Sequence, residues 1–349
     1  MAEWLAVLVS LLAPQGSPAR PAVPIEPVAA IVDAFRTHSV VAVTAGHGDA
    51  RGYAFGRSLV NDPRIAAVVD DIVIEEGSAK FQELSDRFVR GEAMAIESIR
   101  PIWRETTQPG LGLDEPWEAF FGVVRAVNAA HAGGHQLRVL LGDPPIEWEQ
   151  VKTLEAHRTW IEMRDGYPAD LIQREVLEKK RHALLFYGDM HFQRKNIVAN
   201  YESEGPAETI VSRLESKSGA KIFTIFTMFT DLAKGQDDVA SWQAPSLAIV
   251  RGTALGAIDF TFYRSSEAMG RFAIRDGKPD FSKQIPRDQW KTMRAEDQFD
   301  AVLYTGVEHR TQVSPPATRC ADKADIQERM RRATLTGIGV DALKQLCGL

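Results

Sequence analysis

Cysteine is scarce in this chain of 349 residues: Cys320 and Cys347 are the only two, and they lack the close-pair spacing of a zinc site. In an exported chain they would staple the C-terminal helix with a disulfide. In a reducing compartment they would be buried free thiols, and the sequence leaves both open. No block of lysine and arginine interleaved with aromatics occurs, and the net charge is -6, which argues against nucleic acid as a partner. Beyond the first residues nothing is long and apolar enough to span a bilayer. A G-x-S-x-G nucleophile elbow, a Walker lysine and a dinucleotide glycine fingerprint are all missing, so Gly252 and Gly256 in "GTALGAIDF" read as turn glycines.

What is present begins with an apolar core from Trp4 to Ala13, followed by small residues from Ser17 to Ala19, as in a secretory leader. The basic n-region is missing, since Glu3 is the one early charge, and an uncleaved amphipathic or disordered start is the alternative. Pro14, Pro18, Pro21, Pro24 and Pro27 make the next stretch an extended linker. Residues 1–27 are therefore expected to be leader and linker, and 28–349 one α/β domain with a C-terminal helical extension. A cleaved leader places the protein in the periplasm or outside the cell; otherwise it is cytoplasmic.

Short apolar runs then alternate with amphipathic stretches. Strands are predicted at Val40–Ala45, within "IAAVVDDIVIEEG" ending near Glu75, at "QLRVLLGD", "HALLFYGDMH" and "AKIFTIFTMF", and at "DAVLYTG" near Asp300. Phe81, Leu84 and Phe88 share one helical face that Gly91 ends, and a further helix starts near Pro116 and carries Phe120, Val124 and Val127. This alternation predicts an α/β fold, a mostly parallel central sheet with helices on both faces and helical insertions.

Ligands of such sheets lie beyond the carboxyl ends of the strands. There the sequence places His47 after the first strand, Glu75 and Glu76 after the second, Asp143 after the third, and Asp189 with His191 after the fourth. A histidine beside carboxylates suits proton transfer to or from water. His47, Glu75 and His191 are also a ligand set for a divalent metal with open positions for water, and the sequence does not choose between metal and none. Arg51, in the turn after His47, is a candidate for binding an acidic substrate group or for pairing with Glu75 or Asp143; Arg104, at the end of "IRPIWRE", is a candidate to overhang the site. His131 and His135 read as capping or exposed residues, and His38, His157, His182 and His309 carry no assignment.

With "GHGDARG", "DIVIEEGSAKFQ", "RVLLGDPPIEW" and "LLFYGDMHFQR" read in this order, the chain resembles the superfamily of erythromycin esterases, ChaN-like haem-uptake proteins and Tiki and TraB proteases. The similarity runs from about Val40 to Tyr304 and is nearest an esterase-like bacterial branch. It implies a histidine and glutamate pair, here His47 and Glu75, with His191 as the late second histidine. In the esterase branch that pair activates water without metal; related residues bind a divalent ion in the Tiki branch, and the ChaN branch binds haem. Relatives carry a glutamate two residues before the first histidine, where this chain has Ala45; Asp49, Asp143 or Glu76 would have to substitute. The expected function is a hydrolase of an ester, lactone or similar acyl bond, with His47 as base, Glu75 orienting or stabilising it, and His191 with Asp189 polarising the substrate carbonyl or protonating the leaving group. Asp143, Glu76, Arg51 and Arg104 would contact a small-molecule substrate. The rivals are a haem or small-ligand protein, with Tyr187 or His191 as axial ligand, and a catalytically degenerate relative.

Overall fold

The computed structural model describes residues 19–349 except 110–111, 132, 196–207, 229–236, 261–271, 276–277, 285, 287–292 and 307–312. The leader expected before residue 19, His309 and much of the stretch from Thr227 to Gln298 lie outside the described residues.

The six predicted strands form as β1 (Val40–Thr44), β2 (Asp71–Ser78), β3 (Arg138–Asp143), β4 (Ala183–Tyr187), β5 (Ile222–Met228) and β9 (Ala301–Tyr304). Three more were not foreseen: β6 (Ser246–Ile249) and the hairpin β7 (Phe272–Arg275) and β8 (Lys278–Gln284). A seven-stranded sheet runs in the order β3-β2-β4-β1-β5-β9-β6, parallel except for β6, which pairs antiparallel with β9. The first four strands are thus neighbours running the same way, and their carboxyl ends line one stretch of sheet edge.

Near-continuous apolar runs form these strands because both sheet faces are covered. Val41, Val43, Ile74 and Phe186 pack into one core, with Leu59, Trp117 and Phe120 from helices Ala50–Asn61 and Asp114–Ala130. Val40, Ala42, Val73 and Tyr187 pack into the other, with Leu171, Val176 and Leu214. Burial of each large apolar side chain contributes about 1.5–3 kcal/mol, so slipping a strand by one residue would exchange its two faces at heavy cost.

Part of the stretch expected to be a free linker is tied down. The Ile25 N–H donates to Leu247 O at 2.8 Å, Leu247 N–H returns the bond at 3.0 Å, and Ala254 N–H donates to Arg20 O at 2.9 Å. Pairing with the outer edge of β6 satisfies backbone groups of an otherwise open edge strand. Proline tolerates such a place because its missing N–H can face solvent.

At the other end, helices Lys323–Thr336 and Val340–Cys347 are joined to the preceding turn by a disulfide between Cys320 and Cys347, so of the two states left open for the cysteines the structure has the bonded one. Buried Arg329 and Arg332 donate to Arg104 O, and Arg332 also binds Glu105 Oε2 at 2.6 Å. Replacing both cysteines with serine is expected to lower the unfolding free energy by about 3–4 kcal/mol, the chain-entropy value for a loop of this length. Urea denaturation of the double variant measures it; an unmoved midpoint would mean that the arginine contacts hold the helices alone.

Candidate active site

The chain leaves β1 through Ala45, whose N–H donates to Tyr187 O at 2.7 Å, and turns at Gly48, where φ is 70°. That left-handed conformation favours glycine. Asp49 then caps helix Ala50–Asn61 by accepting from Arg51 N. The tight exit lifts His47 off the sheet and leaves 56% of its side chain exposed.

Successive residues of a strand point to opposite faces, and Glu75 and Glu76 at the end of β2 find their partners on different sides of the sheet. His47 grips both across the sheet edge: Nδ1 lies 2.9 Å from Glu76 Oε1, and Nε2 lies 3.4 Å from Glu75 Oε1. Glu76 is fixed by the Tyr53 hydroxyl, which donates to Oε1 at 3.1 Å, and by the Trp117 Nε1–H, which donates to Oε2 at 2.9 Å. Glu75 is buried; its Oε2 accepts from Gly188 N–H at 2.6 Å, and its Oε1 accepts from Arg164 and faces His191 Nε2 at 3.3 Å.

A further shell holds these partners. His191 Nδ1 lies 2.9 Å from Asp165 Oδ1, and Arg164 Nε lies 3.6 Å from Asp143 Oδ1. Buried Asp143 accepts from the N–H and the hydroxyl of Thr107, each at 2.6 Å. His157 stacks on Trp148 at 5.2 Å and bonds the Thr107 carbonyl at 2.9 Å, so a histidine without an assignment supports the loop that fixes Asp143.

These contacts set the charge state. Hydrogen bonds to Glu75 and then to Glu76 raise His47 to about 10, against the opposing pull of burial. Burial alone would depress His191, but the Glu75 charge and the bond to Asp165 outweigh it and bring it to about 9. Burial pushes Glu75 up, yet the two imidazoles together hold it well below its ordinary 4.5. Asp143 is pushed up to about 7 by burial, only partly countered by Arg164 and Thr107. At neutral pH both imidazoles therefore carry their protons.

The sign of the linkage follows. Both histidines bind protons more tightly folded than at their ordinary 6.5, so their stabilisation is complete below about pH 6.5 and is lost as pH rises towards about 9 and 10. Glu75 contributes in the other direction, and its share is lost as pH falls below about 4.5. Proton NMR titration should find the His47 and His191 ring signals unmoved between about pH 6 and 8; midpoints near 6.5 would overturn this charge assignment.

The structure brings His47, Glu75, Glu76, Asp143 and His191 into one network, and it redirects three other candidates. Asp189 opens the short turn Asp189–Phe192, but Asp165 is the carboxylate on His191 Nδ1. Arg51 reaches the Gly306 carbonyl at 3.3 Å instead of Glu75 or Asp143, because helix Ala50–Asn61 carries it away from β2 and β3. Arg104 is turned to Asp114, which it binds through Nε at 2.9 Å and Nη2 at 2.5 Å, so its side chain ties down the start of helix Asp114–Ala130 while its carbonyl receives the C-terminal arginines. Arg164 and Asp165, from the junction between helices Leu154–Glu162 and Gly166–Ile172, escaped the strand-end reading because they follow a helix. The charged pair before a glycine in "MRDGYP" was the one available signal.

The set His47, Glu75 and His191 does converge, but on one oxygen already facing the Arg164 cation, where a divalent ion would meet like charge. Among the described residues no group of three or more His, Cys, Asp or Glu is arranged to hold a metal ion. The suggested haem ligands fit no better: both nitrogens of His191 face carboxylates, and the Tyr187 hydroxyl is buried so close to Gly142 that a Cβ there would stand 1.5 Å from it.

Beside His47 opens a cleft lined by Ala45, Gly52, Gly56, Trp117, Phe120 and Phe186, with Glu75, Glu76 and Tyr53 also on its wall. Ala45, where the resemblance implied a carboxylate, thus borders open space, and Glu76 occupies His47 Nδ1.

No family model matches the chain, and no curated protein matches its sequence. Solved structures resemble it in shape at low identity. A protein from Bacillus cereus shares 10% identity over 84% of this chain and 97% of its own, with a TM-score of 0.48. A succinoglycan biosynthesis protein shares 8% over 83% of this chain and 93% of its own, at 0.46. ChaN of Campylobacter jejuni, whose structure shows cofacial haem binding, shares 10% over 58% of this chain and 86% of its own, at 0.38.

Proposed function

We propose that this protein is a hydrolase of an ester, lactone or similar acyl bond, in which Glu75 takes the part of base that the sequence suggests for His47, and His47 protonates the leaving oxygen. The observation that carries this reading is a half-exposed His47, charged at neutral pH, resting on the buried Glu75 carboxylate at the mouth of an apolar cleft. With Nδ1 on Glu76 and Nε2 towards Glu75, His47 has no free lone pair and is poised as an acid. Its Nε2 contact at 3.4 Å is long, so a substrate oxygen can replace it.

Water attacks the carbonyl carbon, and one of its protons passes to Glu75. As the acyl–oxygen bond breaks, His47 Nε2–H protonates the leaving oxygen. Once His47 has given up its proton, the neutral imidazole is the stronger base of the pair. Glu75 then returns the proton to His47, and the starting state is restored. Arg164 and His191 hold Glu75 in place throughout, and Thr107 and Asp143 hold Arg164. The formed disulfide suits an oxidising compartment, and we extend the proposal to a periplasmic or secreted protein.

The test is a panel of p-nitrophenyl esters, lactones and peptides, with and without chelator. Chelator-insensitive ester or lactone cleavage supports the reading; wild-type protein inert on the whole panel sinks it. A haemin titration run beside it checks the binding alternative, which requires a Soret band that His191→Ala abolishes.

A further inference from the structure

Helix Ala50–Asn61 carries Gly52 in its first turn and Gly56 one turn on, in its interior, where glycine is less favourable than alanine. Neither is required by the backbone. Both have ordinary negative φ, and a Cβ at Gly52 would lie 3.6 Å from Asp49 Oδ2, while one at Gly56 would lie 3.6 Å from Phe186 Cε1. Those are ordinary contact distances, so a methyl group fits at either place. What the two glycines leave instead is room, since both line the cleft beside His47.

The character of that room is set by its rings. Tyr53 and Trp117 meet edge to face at 5.8 Å, Trp117 and Phe120 at 5.6 Å, and Phe120 and Phe186 at 6.2 Å. The hydroxyl of Tyr53 and the indole N–H of Trp117 both donate to Glu76, so the rings offer the cleft carbon edges and faces. The two carboxylates on the wall, Glu75 and Glu76, are already engaged by His47, Arg164, His191, Tyr53 and Trp117, so they repel an anionic occupant, and a cationic one would have to displace those partners. An aromatic group gains ring contacts on several sides.

We infer that the cleft walled by Gly52, Gly56, Trp117, Phe120 and Phe186 is the acyl pocket, and that it selects compact, uncharged aromatic acyl groups. The inference rests on the hydrolase reading for the word acyl; the preference for an uncharged aromatic group rests on the cleft alone. Gly56 is the specificity-determining position, because a side chain there grows along Phe186 into the space.

Two readouts separate the two claims. Binding of N-methylbenzamide, an unreactive neutral probe, is followed by calorimetry in wild type, Gly56→Ala and Gly56→Leu, with circular dichroism as a check of folding. Binding should weaken about threefold in the alanine variant and at least tenfold in the leucine variant. If Gly56→Leu fails to fold, Ala45→Leu fills the same cleft from the end of β1. On esters, the ratio of kcat/KM for p-nitrophenyl benzoate over acetate should exceed 10 in wild type and fall at least tenfold in the filled variants. Wild type that binds the probe but cleaves no ester refutes the hydrolase reading and keeps the cleft assignment. Wild type that does not bind the probe, or filled variants that bind it unchanged, overturns the inference itself.

Discussion

Replacing Glu75 with glutamine is expected to lower the unfolding free energy by about 3–5 kcal/mol, the range for removing one partner of a buried ion pair. The carboxylate is 6% exposed and meets Arg164, His191 and His47 on one oxygen and the Gly188 N–H on the other. Glutamine keeps the shape but offers an N–H2 group towards cations, so Arg164 loses the carboxylate it binds directly and keeps Asp143 at 3.6 Å. The same substitution should lower both histidines. His47 loses its largest raising contact and His191 its largest counter-charge, so their midpoints move from about 10 and about 9 towards the ordinary 6.5. Stability should then depend less on pH on the alkaline side, because the loss between about pH 6.5 and 10 came from those raised values. Urea denaturation across pH and ring-proton titration of the variant measure both effects. Histidine midpoints that do not move would show that Glu75 is not the centre of the network.

That Glu75 would join a shared site was legible from order alone, whereas choosing it over Glu76 as the partner of His47 came from the family resemblance. Four apolar runs, each ending in an ionisable residue, become four adjacent parallel strands, and the carboxyl ends of such strands share an edge whatever the intervening helices do. His47, Glu75, Glu76, Asp143 and His191 follow from that rule. Residues that reach the site from helix junctions and loops do not, and Arg164, Asp165 and Thr107 are of that kind: their places depend on how helices Leu154–Glu162 and Gly166–Ile172 and the loop after Arg104 pack. Tyr53 and Trp117 were hidden for another reason. An aromatic on a helix reads as core by default, and here each does pack against a ring while spending its polar atom on Glu76. The edge strand β6 is four residues long and has Ile249 exposed, too short for a two-sided apolar pattern to show.

Replacing His47 with glutamine is expected to reduce kcat/KM on the preferred ester by about 10²–10⁴-fold, the usual worth of a positioned proton donor, while circular dichroism finds the fold retained. The two effects separate because His47 is 56% exposed, while Glu75 keeps Arg164, His191 and the Gly188 N–H without it. The pH profile then distinguishes acid from base. If His47 gives its proton to the leaving oxygen, the wild-type rate holds through neutral pH and falls as pH passes about 10, where the imidazolium is lost. If His47 were the base, the rate would instead climb over that range, since the neutral imidazole becomes available only there. Glutamine at position 47 should abolish whichever limb belongs to the histidine and leave any limb from Glu75, held low by its cationic neighbours, in the acid range. A leaving-group series sharpens the distinction. Esters whose alcohol needs no protonation, such as p-nitrophenyl, should lose less activity in His47→Gln than alkyl esters do, because only the latter depend on a proton from Nε2. Equal losses across the series would remove the acid role and return His47 to the part of base.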